Sequence, residues 1–502
     1  MNDEHAPRQV VAPIAFASSG RQVREHIDAR HVSVHPTIVD RLRGACAEVL
    51  TDTPSCAEAS RDWWPLAMAW ALDDEVGGLA SVVARPHSAD EVSAIVRIAN
   101  DAVVPVTAAG GRSGVCGASV PLHGGIVLDL TAMRGVVAID DDSLTVDVAP
   151  GTFGGDFERE LRADHGLTVG HWPQSIELST VGGWIACRSA GQYSTRYGKI
   201  EDIVTGLDVV LADGTLVSTG GAPRSAVGPD LTQLFVGSEG TLGVIVGARL
   251  RTHPIPPAER RVAYGFDDFA SGLDACRRIL RRGATPAVLR LYDAAESKRT
   301  YGADAGTHVL VVLDEGDPAL IDAVMTVVTG ECRAADRLSD DLVGQWLHHR
   351  NEVSALEALT RKGFVVDTME IAAPWSRLPA VRDATTAALL AVRHARAATC
   401  HLSHSYGDGA CLYFTFVATP PANERDATYL QLWDNGTRAV LASGGNLSHH
   451  HGIGLNRSRF MGEALGAGFG LFASLKRTFD PNGILNPGKL GLPSPFGLVA
   501  WP

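Results

Sequence analysis

The sequence predicts an α+β fold of more than one domain, and three observations support this prediction. Strand and helix patterns alternate from Ser81 onward. A Pro-rich break, HPIPPAE at residues 253–259, separates two such regions. The length of 502 residues exceeds what one hydrophobic core usually holds. We therefore expect one α+β region that ends near residue 255 and a second that follows it.

The N-terminal part predicts helices and then a strand-helix-strand unit. PTIVDRLRGACAEVL has apolar residues at helical spacing, and WPLAMAWAL is typical of a buried helix, since spanning a bilayer takes about 20 residues. SVVARP and VVPVTAAGG predict strands on either side of a helix, SADEVSAIVRIAND, that begins with a serine cap. Further strands are predicted by GGIVLDLT, LTVDVAPG, IVTGLDVVLADGTLVST with a turn at Asp213-Gly214, and TLGVIVGARLRTHP.

The second region predicts strands between amphipathic helices, and the chain ends in a turn-rich segment. The strand patterns are VAYGFDDF, HVLVVLDEG, GFVVDTMEIA and ACLYFTFVA. The last 60 or so residues contain the loop GGNLSHHHGIGLNR, a helix through LFASLKRTF and the turns of DPNGILNPGKL. The predicted divisions are a helical lead-in over 1–75 and units over 76–255, 256–440 and 441–502.

Composition excludes some classes of function. The net charge of −13 and the isoelectric point near 5.7 give no electrostatic reason to bind nucleic acid. Eight cysteines form no CxxC pair, and no cleavable leader is recognisable at the N-terminus. The sequence therefore predicts a cytoplasmic protein with free thiols, no transmembrane segment and no nucleic-acid partner.

Three glycine-rich loops predict a site for an extended, phosphate-containing ligand. Such loops expose backbone N–H groups that suit a diphosphate, although the first loop alone would be equally typical of a plain surface loop. It matches neither the GxGxxG nor the GxxxxGK[ST] pattern. The three loops lie in residues 105–119, 170–204 and 228–245.

The three loops, together with SIELSTVGGW, YGKIEDIV, SHSYGDGACLYFTF, GGNLSHHHGIGL and DPNGILNPGKL, resemble the vanillyl-alcohol oxidase superfamily. Within it the chain is most similar to the alkylglycerone-phosphate synthase (alkyldihydroxyacetonephosphate synthase) family, from residue 80 to residue 490. The resemblance implies a two-subdomain FAD-binding domain, a second α+β substrate or cap domain, and a C-terminal segment that returns to the FAD domain.

The resemblance also implies how FAD is held. Its pyrophosphate would lie against the first loop, at Gly110, Gly111, Arg112, Ser113 and Gly114. Its ribityl chain and diphosphate would lie along Ser179, Thr180 and Gly183 of the second loop, which also offers His171 and Ser175. Its adenosine side would lie near the third loop, at Glu239, Gly240, Thr241 and Gly243. Many relatives attach the flavin covalently through a histidine in the first loop, but GGRSG has none, so we expect non-covalent FAD. His171 would either lie near the active site or orient the second loop by a hydrogen bond.

The histidine run allows a metal site, a proton-handling site or an ordinary polar loop. Adjacent side chains of an extended segment face opposite sides, so His449, His450 and His451 alone are not expected to bind a metal. A remote partner would be needed, and SHSYGDGACLYF offers His404, Tyr406, Asp408 and Tyr413. Metal-binding relatives have a second histidine where Leu412 stands and a glutamate where His450 stands, so we predict no metal.

The proton-handling alternative follows from the resemblance, which implies that Tyr413, His450 and His451 line the reactive face of the flavin. His449 and His404 complete the candidate catalytic set. A neighbouring imidazolium would lower the pKa of Tyr413 and make it a usable base.

For function, the resemblance implies flavin N5 chemistry at a carbon next to a carbonyl, with exchange of an acyl for an alkoxy group in ether-lipid formation. It also implies a small-molecule or lipid-like substrate and a homodimer. One departure is Leu356, which stands where the synthase family has the arginine that holds the substrate phosphate. Two alternatives therefore stay open: an FAD-dependent dehydrogenase or oxidase of a 2-hydroxy acid or alcohol, and a non-catalytic FAD- or lipid-binding protein.

Overall fold

The computed structural model describes residues 14–352, 354–497 and 499. Residues 1–13 of the predicted lead-in and residues 500–502 of the predicted C-terminal segment lie outside the described residues.

The N-terminal part packs a small sheet against helices. A four-stranded sheet has the order β2-β4-β6-β5, in which β6 pairs in parallel with both β4 and β5. Ser88 caps the helix between β4 and β5 as predicted, accepting a hydrogen bond from Glu91 N–H at 3.2 Å. WPLAMAWAL forms the predicted buried helix, and Trp64 and Trp70 are fully buried. The elements are β1 (Arg24–Glu25), α1 (Pro36–Ala45), β2 (Glu48–Leu50), α2 (Thr53–Ala59), α3 (Pro65–Ala71), β3 (Glu75–Val76), β4 (Val82–Arg85), α4 (Ala89–Ala102), β5 (Val106–Ala109) and β6 (Ile126–Asp129).

A second, five-stranded antiparallel sheet follows, with the order β11-β10-β12-β8-β7. The predicted turn at Asp213-Gly214 joins β10 to β11, and Gly214 has φ +80°, a conformation that glycine adopts without strain. The strand β7 was not predicted, because its pattern is mostly exposed. The elements are β7 (Val136–Asp140), β8 (Thr145–Val148), α5 (Gly154–Glu160), β9 (Leu167–Thr168), α6 (Val181–Cys187), α7 (Ser194–Tyr197), α8 (Ile200–Ile203), β10 (Val204–Val210), β11 (Leu216–Ser218), α9 (Thr232–Phe235), β12 (Val244–Arg251) and β13 (His253–Pro254).

The second region is built on a seven-stranded antiparallel sheet with the order β17-β14-β16-β15-β19-β20-β18. Its largest core cluster joins this sheet to helices α10, α12, α15 and α16. Three of its strands, β15, β17 and β19, were not predicted. The elements are β14 (Ala258–Phe266), α10 (Phe269–Arg281), β15 (Val288–Tyr292), α11 (Ala294–Tyr301), β16 (His308–Gly316), α12 (Pro318–Glu331), β17 (Asp336–Leu338), α13 (Asp341–His349), α14 (Ser354–Arg361), β18 (Val365–Pro374), α15 (Leu378–Leu390), β19 (Ala395–Ser405), β20 (Gly409–Ala418) and α16 (Arg425–Ala442).

The C-terminal segment returns to the first region, as the resemblance implied. After α17 (Met461–Leu465) and α18 (Gly468–Phe479), Leu485 forms a parallel bridge with Val106 of β5. Asn486 Nδ2 donates to the carbonyl oxygens of Ala118 at 3.0 Å and Glu239 at 2.6 Å. The end of the chain therefore completes the domain that the three glycine loops occupy. Among the helices in the described ranges, none is both long and apolar enough to cross a membrane.

Candidate active site

Four aromatic and acidic side chains form a row across one face of the seven-stranded sheet. Glu370 of β18 lies opposite Tyr413 of β20, Tyr413 lies opposite His401 of β19, and His401 lies opposite Tyr292 of β15. Directly opposed residues in antiparallel strands share a face. The His401 ring is stacked on Tyr413, with centroids 5.0 Å apart. Tyr413 is thus fixed between a carboxylate on one side and an imidazole on the other.

Glu370 holds the histidine loop. Its Oε1 accepts hydrogen bonds from the backbone N–H groups of His449 (3.2 Å), His450 (3.1 Å) and His451 (2.8 Å). Ser448 Oγ donates to the same oxygen at 2.6 Å, and the fully buried Arg457 pairs with both carboxylate oxygens. The loop is therefore wound around one carboxylate rather than extended.

The winding brings the histidine rings together. His449 Nδ1 lies 2.8 Å from His450 Nδ1, and the rings of His450 and His451 are 4.5 Å apart. The expectation that neighbours in this run face opposite sides was therefore wrong for His449 and His450, because the segment is a turn and not a strand. His451 Nδ1 lies 3.0 Å from Glu370 Oε2, an ion-pair contact without hydrogen-bond geometry.

His404 joins the histidine loop through an irregularity in β19. The register between β19 and β20 shifts between Leu402 and His404, and such a bulge re-aims the side chain that follows it. The His404 ring then stacks 5.0 Å from His449 and lies 5.0 Å from His450. Its Nδ1 bonds Ser194 Oγ at 2.7 Å, while Tyr406 OH bonds His449 Nε2 at 2.9 Å. Asp408, named with them in the sequence, is exposed in the turn and lies apart.

Burial keeps the clustered imidazoles neutral. Desolvation lowers the pKa of His404, His449 and His450 well below the ordinary value, and the charge of Lys199 lowers that of His449 further. Lys199 Nζ donates to the His449 carbonyl oxygen at 2.7 Å. Neutral imidazoles carry a lone pair, so these rings can accept a hydrogen bond or bind a metal ion, whereas the lowered pKa opposes protonation.

The state of Tyr413 differs from the prediction. Burial raises its pKa, and the OH group donates to Thr368 Oγ1 at 3.1 Å. The two imidazoles stacked on Tyr413, His401 at 5.0 Å and His450 at 6.1 Å, are both held neutral by desolvation, so neither lowers the Tyr413 pKa. Tyr413 is accordingly a neutral phenol that can donate a hydrogen bond, and the expected phenolate base is corrected.

A metal could be held by His404, His449 and His450, whose ligand atoms lie within 4.8 Å of one another. The metal alternative needed a remote partner for the histidine run, and His404 is that partner. Three imidazoles without a carboxylate can bind zinc, and Ser194 and Tyr406 hold the other ring nitrogens of two of them. The absence of a metal stays a prediction.

The first glycine loop has free donors and a crowded backbone. The N–H groups of Gly111, Arg112, Ser113 and Gly114 donate to no residue in the described ranges. A Cβ on Gly110 would collide with Thr180 Oγ1, and one on Gly111 would collide with the Leu178 carbonyl oxygen. The loop therefore lies directly against the second loop, with four backbone donors available to a diphosphate.

The second loop supplies some free groups and some that are used internally. Thr180 Oγ1 is buried without a partner among the described residues, and Gly183 lies beside it in the first turn of α6. Ser179 Oγ instead bonds Trp184 Nε1 at 2.7 Å and the Ser175 carbonyl oxygen at 2.8 Å. His171 bonds Ser189 Oγ at 2.8 Å through Nε2, which suits the loop-orienting alternative, and its Nδ1 has no partner in the described ranges. Burial, with Lys199 nearby, lowers the pKa of His171 to about 3.

The third loop connects the cofactor side to the histidine loop. Glu239 Oε1 accepts from Ile453 N–H at 2.6 Å, and Oε2 accepts from Gly454 N–H at 2.9 Å. Thr241 OH bonds the Ser238 carbonyl oxygen at 2.7 Å. Gly240 has φ +73°, and a Cβ on Gly243 would collide with Val209. Glu239 in this way anchors the chain just after the histidines.

Several site residues were missed in the sequence. Glu370 and Arg457 carry the histidine loop, and a glutamate between the apolar residues of DTMEIA was the available signal. Asp62 and Trp63 lie beside the first glycine loop: Trp63 N–H donates to the Gly114 carbonyl oxygen at 2.9 Å. Both Asp62 Oδ2 and Trp63 Nε1 are buried without a partner among the described residues. Burial raises the pKa of Asp62 to about 7.

These loops fit FAD. Unpaired N–H groups line the first loop and an unpaired hydroxyl lies in the second, and both face a backbone too crowded for side chains. The first loop also reaches the histidine loop, since Leu455 N–H donates to the Cys116 carbonyl oxygen at 2.8 Å. A cofactor bound along these glycines therefore lies close to the clustered histidines.

Comparison with known families gives two matches along the chain. The FAD binding domain matches residues 80–220, and the domain described as FAD linked oxidases, C-terminal domain, matches residues 255–490.

Individual relatives span nearly the same part of the chain. The FAD-linked oxidoreductase YgcU of Escherichia coli O157:H7 is 32% identical, over 82% of this chain and 89% of that protein. The alkyldihydroxyacetonephosphate synthase of Dictyostelium discoideum is 29% identical, over 83% of this chain and 74% of that protein. The glycolate oxidase subunit GlcD of Bacillus subtilis is 27% identical, over 82% and 89%.

Solved structures share the fold. An alkyldihydroxyacetonephosphate synthase covers 97% of this chain and 91% of its own, with 24% identity and a TM-score of 0.78. A p-cresol methylhydroxylase covers 92% of this chain and 99% of its own, with 17% identity and a TM-score of 0.71. These likenesses confirm the predicted α+β architecture.

Proposed function

This chain belongs to the FAD-linked oxidases of the vanillyl-alcohol oxidase superfamily, and we propose that it catalyses a reaction like that of alkylglycerone-phosphate synthase. FAD is its cofactor. In this reaction a proton leaves a carbon next to a carbonyl, and an acyl group is exchanged for an alkoxy group. The proposal rests on one observation: the Tyr413 ring packs against the imidazoles of the histidine loop, beside the glycine loops, and the ring of His450 is held neutral.

We propose that His451 accepts the substrate proton and that the neutral ring of His450 accepts a hydrogen bond beside it. The Glu370 carboxylate, 3.0 Å from His451 Nδ1, would stabilise the positive charge that this ring gains. Tyr413, a neutral phenol between His401 and the histidine loop, would donate a hydrogen bond to the substrate oxygen. His404 and His449 would orient His450 through the contacts of their rings.

Bound FAD supplies an electrophilic ring system that accepts a hydride or a carbon nucleophile. We propose that its diphosphate accepts hydrogen bonds from the N–H groups of residues 111–114, and that Thr180 and Gly183 lie along the ribityl chain. The loop GGRSG offers no histidine for a covalent bond, which supports non-covalent FAD. A small-molecule or lipid-like substrate and a homodimer complete the proposal, on the likeness to the synthases.

The alternative is an FAD-dependent dehydrogenase or oxidase of a 2-hydroxy acid or alcohol. It is favoured by Leu356, which packs with Ile14, Phe16 and Met68 of the lead-in rather than beside the histidines. No guanidinium at this position is available to a phosphate. The likeness to the subunit GlcD supports the same alternative.

Rapid mixing of the oxidised holoenzyme with candidate substrates, under anaerobic conditions, separates these functions. Acid release from an acylglycerone phosphate, followed by ether formation with a fatty alcohol, would support the synthase-like reaction. Bleaching of the flavin band by a 2-hydroxy acid or alcohol, reversed by an electron acceptor, would support the dehydrogenase. Reaction with none of them would favour a non-catalytic FAD- or lipid-binding protein.

Tyr413→Phe tests the site itself. We expect retention of FAD and a loss of kcat of about 10²- to 10⁴-fold, the usual contribution of a proton-handling group. Tyr264→Phe is the matched control, because Tyr264 OH bonds Thr329 Oγ1 at 3.2 Å elsewhere in the sheet. An unchanged kcat in the Tyr413 variant would contradict its assigned role.

A further inference from the structure

Three hydrogen-bond donors near the candidate active site are buried and have no acceptor. They are Arg290 Nε on β15, Arg350 Nη1 at the end of α13, and Trp172 Nε1 just after His171, and none has a partner among the described residues. Leaving a buried charged donor unpaired is costly, so such groups are nearly always paired. Three donors with no acceptor favour a ligand that brings negative charge.

The two arginines lie against the indole ring of Trp346, and Arg350 also lies against the ring of Trp172. Both guanidinium groups lie over Trp346, with distances from guanidinium carbon to ring centroid of 5.5 Å for Arg290 and 5.6 Å for Arg350. Arg350 also lies 5.5 Å from the Trp172 ring and 5.0 Å from the Tyr193 ring. The aromatic faces support the two cations from the side and leave the edges of the guanidinium groups available.

Neither arginine forms an ion pair in the described part of the chain, although this protein carries a net charge of −13. Arg196, by contrast, is paired through two nitrogens with Asp314. The carboxylate linked to Arg290 through His401 is Glu296, and it is engaged by His401 Nδ1 at 2.8 Å and Thr399 Oγ1 at 2.7 Å.

The hydrogen bonds of His401 also fix the position of Arg290. Arg290 Nη2 donates to His401 Nε2 at 2.7 Å, which requires that His401 carries its hydrogen on Nδ1 and directs it to Glu296. Burial lowers the pKa of His401, consistent with a neutral ring. Since the His401 ring is stacked on Tyr413, His401 lies between Arg290 and the proposed catalytic residue Tyr413.

We propose that Arg290, Arg350 and Trp172 form a binding subsite for the anionic group of the substrate, a carboxylate or a phosphate. The inference rests on the proposed function only in that the anion belongs to the molecule that reacts at Tyr413. The acylglycerone phosphate of the proposed reaction and the 2-hydroxy acid of the alternative both carry such a group, and the subsite takes the place of the guanidinium that is absent at Leu356.

The test uses the holoenzyme and follows the flavin absorbance as oxalate or inorganic phosphate is titrated, so that no turnover is needed. We expect Arg290→Met and Arg350→Met each to weaken binding of the preferred anion about 10- to 100-fold, the loss expected for a charge-assisted hydrogen bond. Arg350→Lys should weaken anion binding less than Arg350→Met, because lysine keeps the positive charge but lacks the planar guanidinium that forms paired hydrogen bonds. Arg41→Met is the matched control, since Arg41 pairs with Asp101 at the surface.

Preference for oxalate or for phosphate would support the subsite and identify the chemistry of its anion. Binding of both anions with wild-type affinity in Arg290→Met and in Arg350→Met would overturn it. Should Arg290→Met lose FAD, Arg350→Met decides, because Arg350 takes no part in the hydrogen bonds that join Arg290, His401 and Glu296. Tyr413→Phe should bind the anion normally, so a failure of the proposed reaction and a failure of the subsite give different results.

Discussion

Glu370 is the residue on which the histidine loop depends most, and its ionisation has a measurable consequence. Burial alone would raise its pKa, but Arg457 and His451 hold the pKa well below the ordinary value. We expect Glu370→Gln to lower the free energy of unfolding by about 3–5 kcal/mol, because the buried Arg457 charge is left unpaired. Urea denaturation at pH 7 measures this difference.

The pH dependence of that difference has a definite sign. A carboxylate with a folded-state pKa below its unfolded value of about 4.3 stabilises the fold above that pH, and the contribution is lost as the pH falls through the folded-state pKa. The difference between wild type and Glu370→Gln should therefore be constant near neutrality and shrink below about pH 4. Glu463→Gln, at the exposed pair with Arg438, should change stability by at most about 1 kcal/mol at any pH. A large effect in that control would contradict the assignment.

At the scale of elements, the first glycine loop depends on its contact with the second. We expect Gly110→Ala to lower the affinity for FAD at least tenfold, because the added methyl group collides with Thr180 Oγ1 and pushes the loops apart. Equilibrium dialysis of the apoprotein with FAD measures it. Gly44→Ala in α1 is the control: a Cβ there meets nothing within 4 Å, so stability should rise by about 0.5–1 kcal/mol with FAD affinity unchanged. Equal FAD affinity in the two variants would contradict the predicted contact.

The elements also explain what the sequence could and could not predict. The helix over 89–102 and the strand β20 follow from local periodicity and capping, and the glycine loops follow from composition. Glu370 was missed because its partners come from residues 448 to 457, and no local pattern encodes which distant backbone a strand carboxylate will bind. The strand β19 was missed for a related reason: ARAATCHLSHS mixes small and polar residues, and only its neighbours β15 and β20 make it a strand.

For the molecule as a whole, we expect FAD to dissociate without bond cleavage. Precipitation with acid should release all flavin into the supernatant, and flavin remaining with the pellet would contradict non-covalent binding. Adding FAD at about 100 times its Kd to the apoprotein should raise the free energy of unfolding by about 2.7 kcal/mol, since the ligand binds only the folded state. Thermal denaturation with and without FAD measures the shift.

The predicted absence of a metal is testable on the same preparation. We expect dialysis against a chelator to leave activity unchanged and elemental analysis to find less than one equivalent of zinc per chain. Zinc at one equivalent, lost together with activity, would instead assign His404, His449 and His450 as ligands. His450→Gln would then lose the metal, whereas an exposed histidine such as His348 could be replaced without loss.

The bridge between Val106 and Leu485 has a consequence for biosynthesis. The strand β5 has β6 on one side and gains a neighbour on the other side only from Leu485, and Glu239 accepts hydrogen bonds from Ile453 and Gly454. Until the residues after His451 have left the ribosome, β5 lacks its contact with Leu485 and the histidine loop lacks its hydrogen bonds to Glu239. Nascent chains cut short by premature termination should therefore be inactive, and commitment to flavin uptake should follow release of the finished polypeptide.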